Sequence, residues 1–159
     1  MESIWGERIT PAEEDAVEEI LYDFPYYARA IEDAKVRLAE LEENIITSGS
    51  ASLILSSGSK NHHISDATGW AAQKLTDDPT LRAIRRDLQE YEKRKATVEQ
   101  ILHFLEKYDL QDELLFIREY YFKRSRLPTI EKALGLSRSS VFRLKKQVIH
   151  RICTLLGWR

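Results

Sequence analysis

Between Pro128 and Ile152 the chain reads PTIEKALGLSRSSVFRLKKQVIHRI. Wound as a helix at about 100° per residue, Val141, Leu144, Val148 and Ile152 fall together, and Ser139, Arg143, Lys146, Gln147 and His150 fall opposite them. Arg138 and Ser140 stand in the first turn, beside backbone N–H groups that attract an anion. The polar face is thus a set of guanidinium, ammonium, amide and hydroxyl groups. Arginine can bond guanine through two parallel hydrogen bonds, glutamine can do the same for adenine, and serine and lysine can hold phosphates or base edges. This chemistry assigns Ser139, Ser140 and Arg143 to base contacts, and Arg138, Lys145, Lys146 and the upstream Arg124 to phosphates. Gln147 and His150 complete the DNA-binding face. Lys145 lies nearer the packed side and reaches a phosphate only by extending its aliphatic stem.

Two short helices must hold that face. Thr129 can cap the first, with Glu131 in its first turn; Ala133 is small enough for close helix packing, and Gly135 permits the conformation that ends a helix. Leu136 then plugs the turn and Ser137 caps the second helix. This is the order of a helix-turn-helix, although helix pairs that bind no DNA use the same turn chemistry. Upstream, Asp109 opens a helix, QDELLFIREYYFKR, in which Leu114, Ile117 and Tyr121, joined by Leu115 and Phe122, recur at helical spacing. That stripe is core rather than a base-stacking platform. The run Arg124 to Pro128 ends it.

Charge divides along the chain. Residues 1–80 hold six Lys/Arg against sixteen Asp/Glu, a balance of −10, and residues 81–120 stand at −1. Residues 121–159 hold ten Lys/Arg and a single acid, Glu131, a balance of +9 hidden inside a net charge of −2. A basic segment in an acidic chain is the footprint of a phosphate-binding surface; the plainer alternative is a solvated basic face. Other chemistries lack their residues. Cys153 has no disulfide partner in the sequence, and His62, His63, His103 and His150 lack a zinc-like spacing. There is no phosphate-cradling glycine loop and no nucleophile with an evident base, and the Asp and Glu residues spread over solvated helix faces. No catalysis, cofactor or metal is expected. Neither a signal peptide nor a membrane span is visible, the longest aliphatic run being about the length of ASLIL, so a cytoplasmic location follows.

The first 108 residues read as a helical arm. Thr10-Pro11-Ala12-Glu13 writes a capped helix start, and Pro25 predicts a kink or break before Tyr26. Tyr27, Ile31, Ala34, Leu38, Leu41 and Ile45 then form a seam spaced by fours and threes. A Ser/Gly-rich connector at about 47–77 follows, with Leu53-Ile54-Leu55 as a short apolar pin. Asp78-Pro79 starts another helix, and Leu81, Ile84, Leu88, Tyr91, Val98, Leu102 and Leu105 restore the seam, breached by Lys95. The two seams suit an antiparallel pair within one chain, or equally a homodimer. The expected fold is all-α: a long helical hairpin or coiled-coil arm over 1–108, then a helix-turn-helix domain over 109–159.

The combination of FIREYYFKR, a short link and TIEKALGLSRSSVFRLKKQVIHRI resembles the region-4-type helix-turn-helix of sigma factors. From about residue 20 to 157, the order of tyrosine-rich helix, Gly/Ser connector, charged helix and terminal motif ending in LLG resembles the RinA/ArpU group of phage late-gene regulators. The likeness implies double-stranded DNA near a phage promoter as partner, host RNA polymerase as a further one, activation of structural and packaging genes, and the bacterial host cell as location. IEKA stands where sigma-like motifs usually carry EIA, and the connector is long. Two other readings use the same features: a small-terminase-type packaging subunit, and a coiled-coil adaptor with an incidental basic tail.

Overall fold

The computed structural model describes residues 9–56 and 67–157, with side chains described over 9–49 and 69–157. The described chain is helical, with no strand among the described residues. Its elements are α1 (Pro11–Ser56), α2 (Ala67–Asp77), α3 (Pro79–Lys107), α4 (Gln111–Ile117), α5 (Leu127–Leu134) and α6 (Arg138–Leu155), and α4 runs on as a π-turn over Arg118–Phe122. No helix among the described residues is long and apolar enough to cross a membrane. His62 and His63 lie outside the described residues, as do the side chains of Leu53, Ile54 and Leu55.

Local signals set several helix starts. At α1 the Thr10 backbone N–H donates to Glu13 Oε2 at 2.7 Å and the Glu13 N–H to Thr10 Oγ1 at 3.3 Å, a reciprocal cap. The Thr10 backbone N–H and, after it, the Thr10 hydroxyl, which donates to the same Oε2 at 2.8 Å, hold the Glu13 carboxyl below its usual range. At α3, Asp78 Oδ1 accepts from the N–H groups of Thr80 and Leu81 at 2.8 and 3.1 Å.

Elsewhere the structure departs from the sequence reading. Pro25 does not end α1, which is helical on both sides of it. The ring is exposed while Leu21 and Tyr27 are buried, so packing on either side outweighs a lost donor costing about 3 kcal/mol. Most of the 47–77 connector is also helix, as the end of α1 and all of α2. Two of its hydroxyls bond within the helices, Ser48 Oγ donating to the Asn44 carbonyl at 2.8 Å and Thr76 Oγ1 to that of Ala72 at 3.0 Å. Asp109 does not open α4. It has a left-handed φ of 53°, and Leu110 precedes the helix without a side-chain cap.

The chain falls into two compact units, one comprising the chain up to Tyr27 together with Arg94 onward, the other Ala28–Lys93. In the second, Lys35 meets Glu92 at 3.4 Å and Glu42 meets Arg85 at 2.8 Å, so α1 and α3 run in opposite directions there. Arg85 also donates to the Leu75 carbonyl at 2.9 Å, tying in the end of α2. Such exposed ion pairs contribute little. The buried Ala30, Ala34, Ile45, Leu81 and Ile84 supply the apolar seam.

In the first unit a single core joins distant segments. Val17 and Leu21 of α1 and Val98, Ile101 and Leu105 of α3 cluster with Leu114, Phe116, Ile117, Tyr121, Ile130, Val141, Val148, Ile149, Ile152 and Cys153. The compact units divide after Tyr27 and after Lys93. The short helices α4 and α5 have too little surface to close a core alone, and the ends of two long helices complete it. Half-buried Lys95 passes the α3 seam by its stem, its ammonium reaching Glu99 at 2.6 Å.

Candidate nucleic-acid interface

The π-turn shapes the base of the site. The Lys123 N–H donates to the Arg118 carbonyl at 2.9 Å, and the Ser125 N–H to that of Glu119 at 2.8 Å. The wider turn brings Tyr120 parallel to Phe116, with ring centroids 5.1 Å apart, and sets Tyr121 edge-on to the same ring at 5.9 Å. Tyr22 of α1 packs edge-on to Tyr121 at 4.8 Å. Of the stripe expected to be core, Leu114, Ile117 and Tyr121 are buried and Phe116 joins them, while Phe122 is half-buried against the cluster and Leu115 only half-buried. Glu119 is buried beneath the turn, its carboxylate held below the usual range chiefly by the Lys123 ammonium and then by the Ser125 hydroxyl at 2.8 Å.

Arg126 in extended conformation precedes α5, and Pro128 occupies the first turn, where no donor is lost. Thr129 therefore sits inside the helix rather than capping it, and Ala133 faces solvent rather than a helix contact. Gly135, with φ 65° and ψ 28°, closes α5 as expected, and the Leu136 N–H returns to the Glu131 carbonyl at 3.1 Å. Ile130 is fully buried and Leu136 half-buried, so the turn is pinned by apolar side chains. Ser137 caps α6: its Oγ accepts from the Ser140 N–H at 3.4 Å and lies 3.2 and 3.0 Å from the hydroxyls of Ser139 and Ser140.

Along α6, Val141, Val148 and Ile152 are buried and Leu144 half-buried, matching the expected packed stripe. Ile149 and Cys153 are buried as well, so the covered face broadens toward the C-terminal end. The nine residues assigned to DNA separate accordingly. Arg138, Ser139, Arg143 and Lys146 are exposed and Ser140 is half-buried, all within the first turns of α6. The side chains of Arg138, Arg143 and Lys146 make no hydrogen bond or ion pair with any described residue. His150 is half-buried and already makes an intramolecular contact.

The other three are engaged by the protein itself. Lys145 forms an ion pair with Glu18 of α1 and stands 5.3 Å over the Tyr120 ring. Burial by itself would lower the Lys145 ammonium, but Glu18 and then Tyr120 outweigh it and leave it above its ordinary value. Gln147 Nε2 donates to Glu113 Oε1 at 2.9 Å. The exposed Arg124, at a left-handed φ of 52°, stacks 5.7 Å over the Tyr22 ring and donates to the Tyr22 carbonyl at 3.3 Å. With Tyr22, Tyr120 and Ser125 it lines an open recess.

Two features of this surface escaped the sequence reading. Glu113, placed there on a solvated face, is only 3% exposed and accepts from Arg151 Nε at 2.9 and 3.1 Å as well as from Gln147. Its partners lie 38 and 34 positions away, so no local pattern marks it. Phe142, by contrast, is 45% exposed on α6. The signal was present: an aromatic residue at a position outside the Val141–Leu144–Val148 stripe.

Compared with protein families, with curated proteins and with solved structures, the chain gives no match.

Proposed function

We propose that this chain is a sequence-selective double-stranded DNA-binding regulator. In this reading α5, the Gly135 turn and α6 form a helix-turn-helix that presents the first turns of α6 to the major groove, and the α1 and α3 segments of the second unit form a helical hairpin. One observation carries the proposal: the division of cations on α6. Those turned toward the protein, Lys145 and Arg151, are each matched by a carboxylate, Glu18 and Glu113. Arg138, Arg143 and Lys146 are matched by none among the described residues. Three exposed positive groups within three turns, beside a serine-capped helix start, are arranged to meet a run of phosphates and the base edges between them. Phage late-gene activation, contact with host RNA polymerase and action in a bacterial host are what the family resemblance adds; they form part of the proposal on that ground alone.

The test uses the full chain and a duplex selected from a random library. Binding should weaken linearly in log–log form as salt rises. Arg143→Ala should cost about 1–3 kcal/mol on the selected site and much less on random DNA. Lys146→Ala should weaken both alike and lower the salt slope by about 1. Salt-insensitive binding, or full affinity after replacing Arg138, Arg143 and Lys146 together, would exclude this surface.

A further inference from the structure

We propose that Phe142 reads the methyl group of a thymine in the major groove and so acts as a specificity-determining residue. The inference rests on the DNA-binding reading of α6 and names the base chemistry that this face selects.

The burial pattern of α6 sets the ring apart. Val141, Val148, Ile149, Ile152 and Cys153 satisfy the packed side without it, and Phe142 remains 45% exposed. Its neighbours one turn away on the helix are Arg138 and Ser139 on one side and Lys145 and Lys146 on the other. None is apolar. Arg138 and Lys146, four residues before and after, are exposed cations with no carboxylate partner among the described residues, and the adjacent Arg143 is a third. A single apolar ring thus stands inside a positively charged field.

That juxtaposition selects among partners. An apolar protein surface calls for a contiguous apolar patch, with charges excluded from its centre. Here the ring has no apolar neighbour one turn away along α6, and exposed cations stand four residues to either side. Duplex DNA offers the complement. Its backbone places phosphates on both edges of the groove, and between them the thymine C5-methyl is the one apolar group on an otherwise polar floor of donors and acceptors. Phenylalanine is among the side chains able to contact that methyl, while the flanking arginines and lysine reach base edges or phosphates. A 5-methylcytosine presents the same group at the same groove position and would be favoured likewise.

The experiment uses the full chain and a duplex selected from a random library. Each thymine in the site is replaced singly by deoxyuridine, which removes only the methyl group. At one or two positions the wild-type affinity should fall about fourfold, the ratio that corresponds to burying one methyl-sized group. Phe142→Ala should bind the thymine and deoxyuridine duplexes equally with an unchanged salt slope, and Phe142→Leu should keep part of the difference. A selected site without thymine, a site insensitive to every replacement, or a methyl effect that persists in Phe142→Ala would each overturn the role given to Phe142. So would a variant with unaltered DNA binding and reduced self-association, which would make the ring a protein contact. Selective, salt-dependent binding without methyl sensitivity removes only this inference. Absence of salt-dependent duplex binding removes the DNA-binding reading as well.

Discussion

Lys145 and Lys146 are sequence neighbours held in different electrostatic surroundings. Lys146 is solvated, whereas Lys145 shares the Glu18 carboxylate with the Tyr121 hydroxyl, which donates to Glu18 Oε1 at 3.2 Å. Burial, reinforced by the Glu18 charge, pushes the Tyr121 hydroxyl well above the usual tyrosine range, and Lys145 is raised as well. Both folded values exceed the unfolded ones, so the stability these groups contribute is fully present below about pH 10 and is lost as pH rises beyond it. The melting temperature should therefore fall as pH rises above about 10, and Tyr121→Phe and Lys145→Met should each make that fall shallower. Equal slopes in wild type and both variants would show that this cluster is not linked to folding. At neutral pH, Lys145→Met should also cost about 1–3 kcal/mol, because Glu18 loses its cation. The packed stripe of α6 was legible because helical period is a local property. The pairing of Lys145 with Glu18, 127 positions upstream, was not.

At the scale of elements, boundaries written by two to four adjacent residues were legible, as at Thr10–Glu13, Asp78–Pro79, Gly135 and Ser137. Boundaries decided by packing were not. Serine and glycine between 47 and 56 suggest a loop, yet the helix continues through them, and Ser48 donates its hydroxyl to the Asn44 carbonyl one turn back. The π-turn over Arg118–Phe122 carries Tyr120 and Tyr121 into contact with Phe116 and Tyr22, an arrangement that helical spacing does not encode. Gly135 isolates one boundary for measurement. A Cβ added there would meet nothing within 4 Å, so Gly135→Ala introduces only the conformational cost of a left-handed backbone, about 1–2 kcal/mol. Thermal melts should register that loss, with Gly135→Asn closer to wild type. A larger loss would mean that the turn has less room than its open surroundings indicate.

At the scale of the molecule, the α5–α6 pair is one wall of a core whose other walls come from α1 and α3. The charge gradient pointed to the C-terminal segment as the interface, but charge describes a surface and cannot reveal what lies beneath it. Leu21, fully buried about 110–130 residues before α5 and α6, belongs to the same cluster as Ile130 and Val148. Leu21→Ala should therefore destabilise this unit by about 2–5 kcal/mol, as much as Ile130→Ala. Hydrogen exchange at α6 amides should report both variants; acceleration by Ile130→Ala alone would separate α6 from the α1 core. The discontinuity of this unit also orders events during synthesis. A nascent chain that has emerged only as far as Lys93 holds every residue of the Ala28–Lys93 unit, whereas the other unit still lacks α4, α5 and α6. The inserted unit can fold while translation continues, and the apolar side chains of Val17 and Leu21 must wait, uncovered, for helices not yet made.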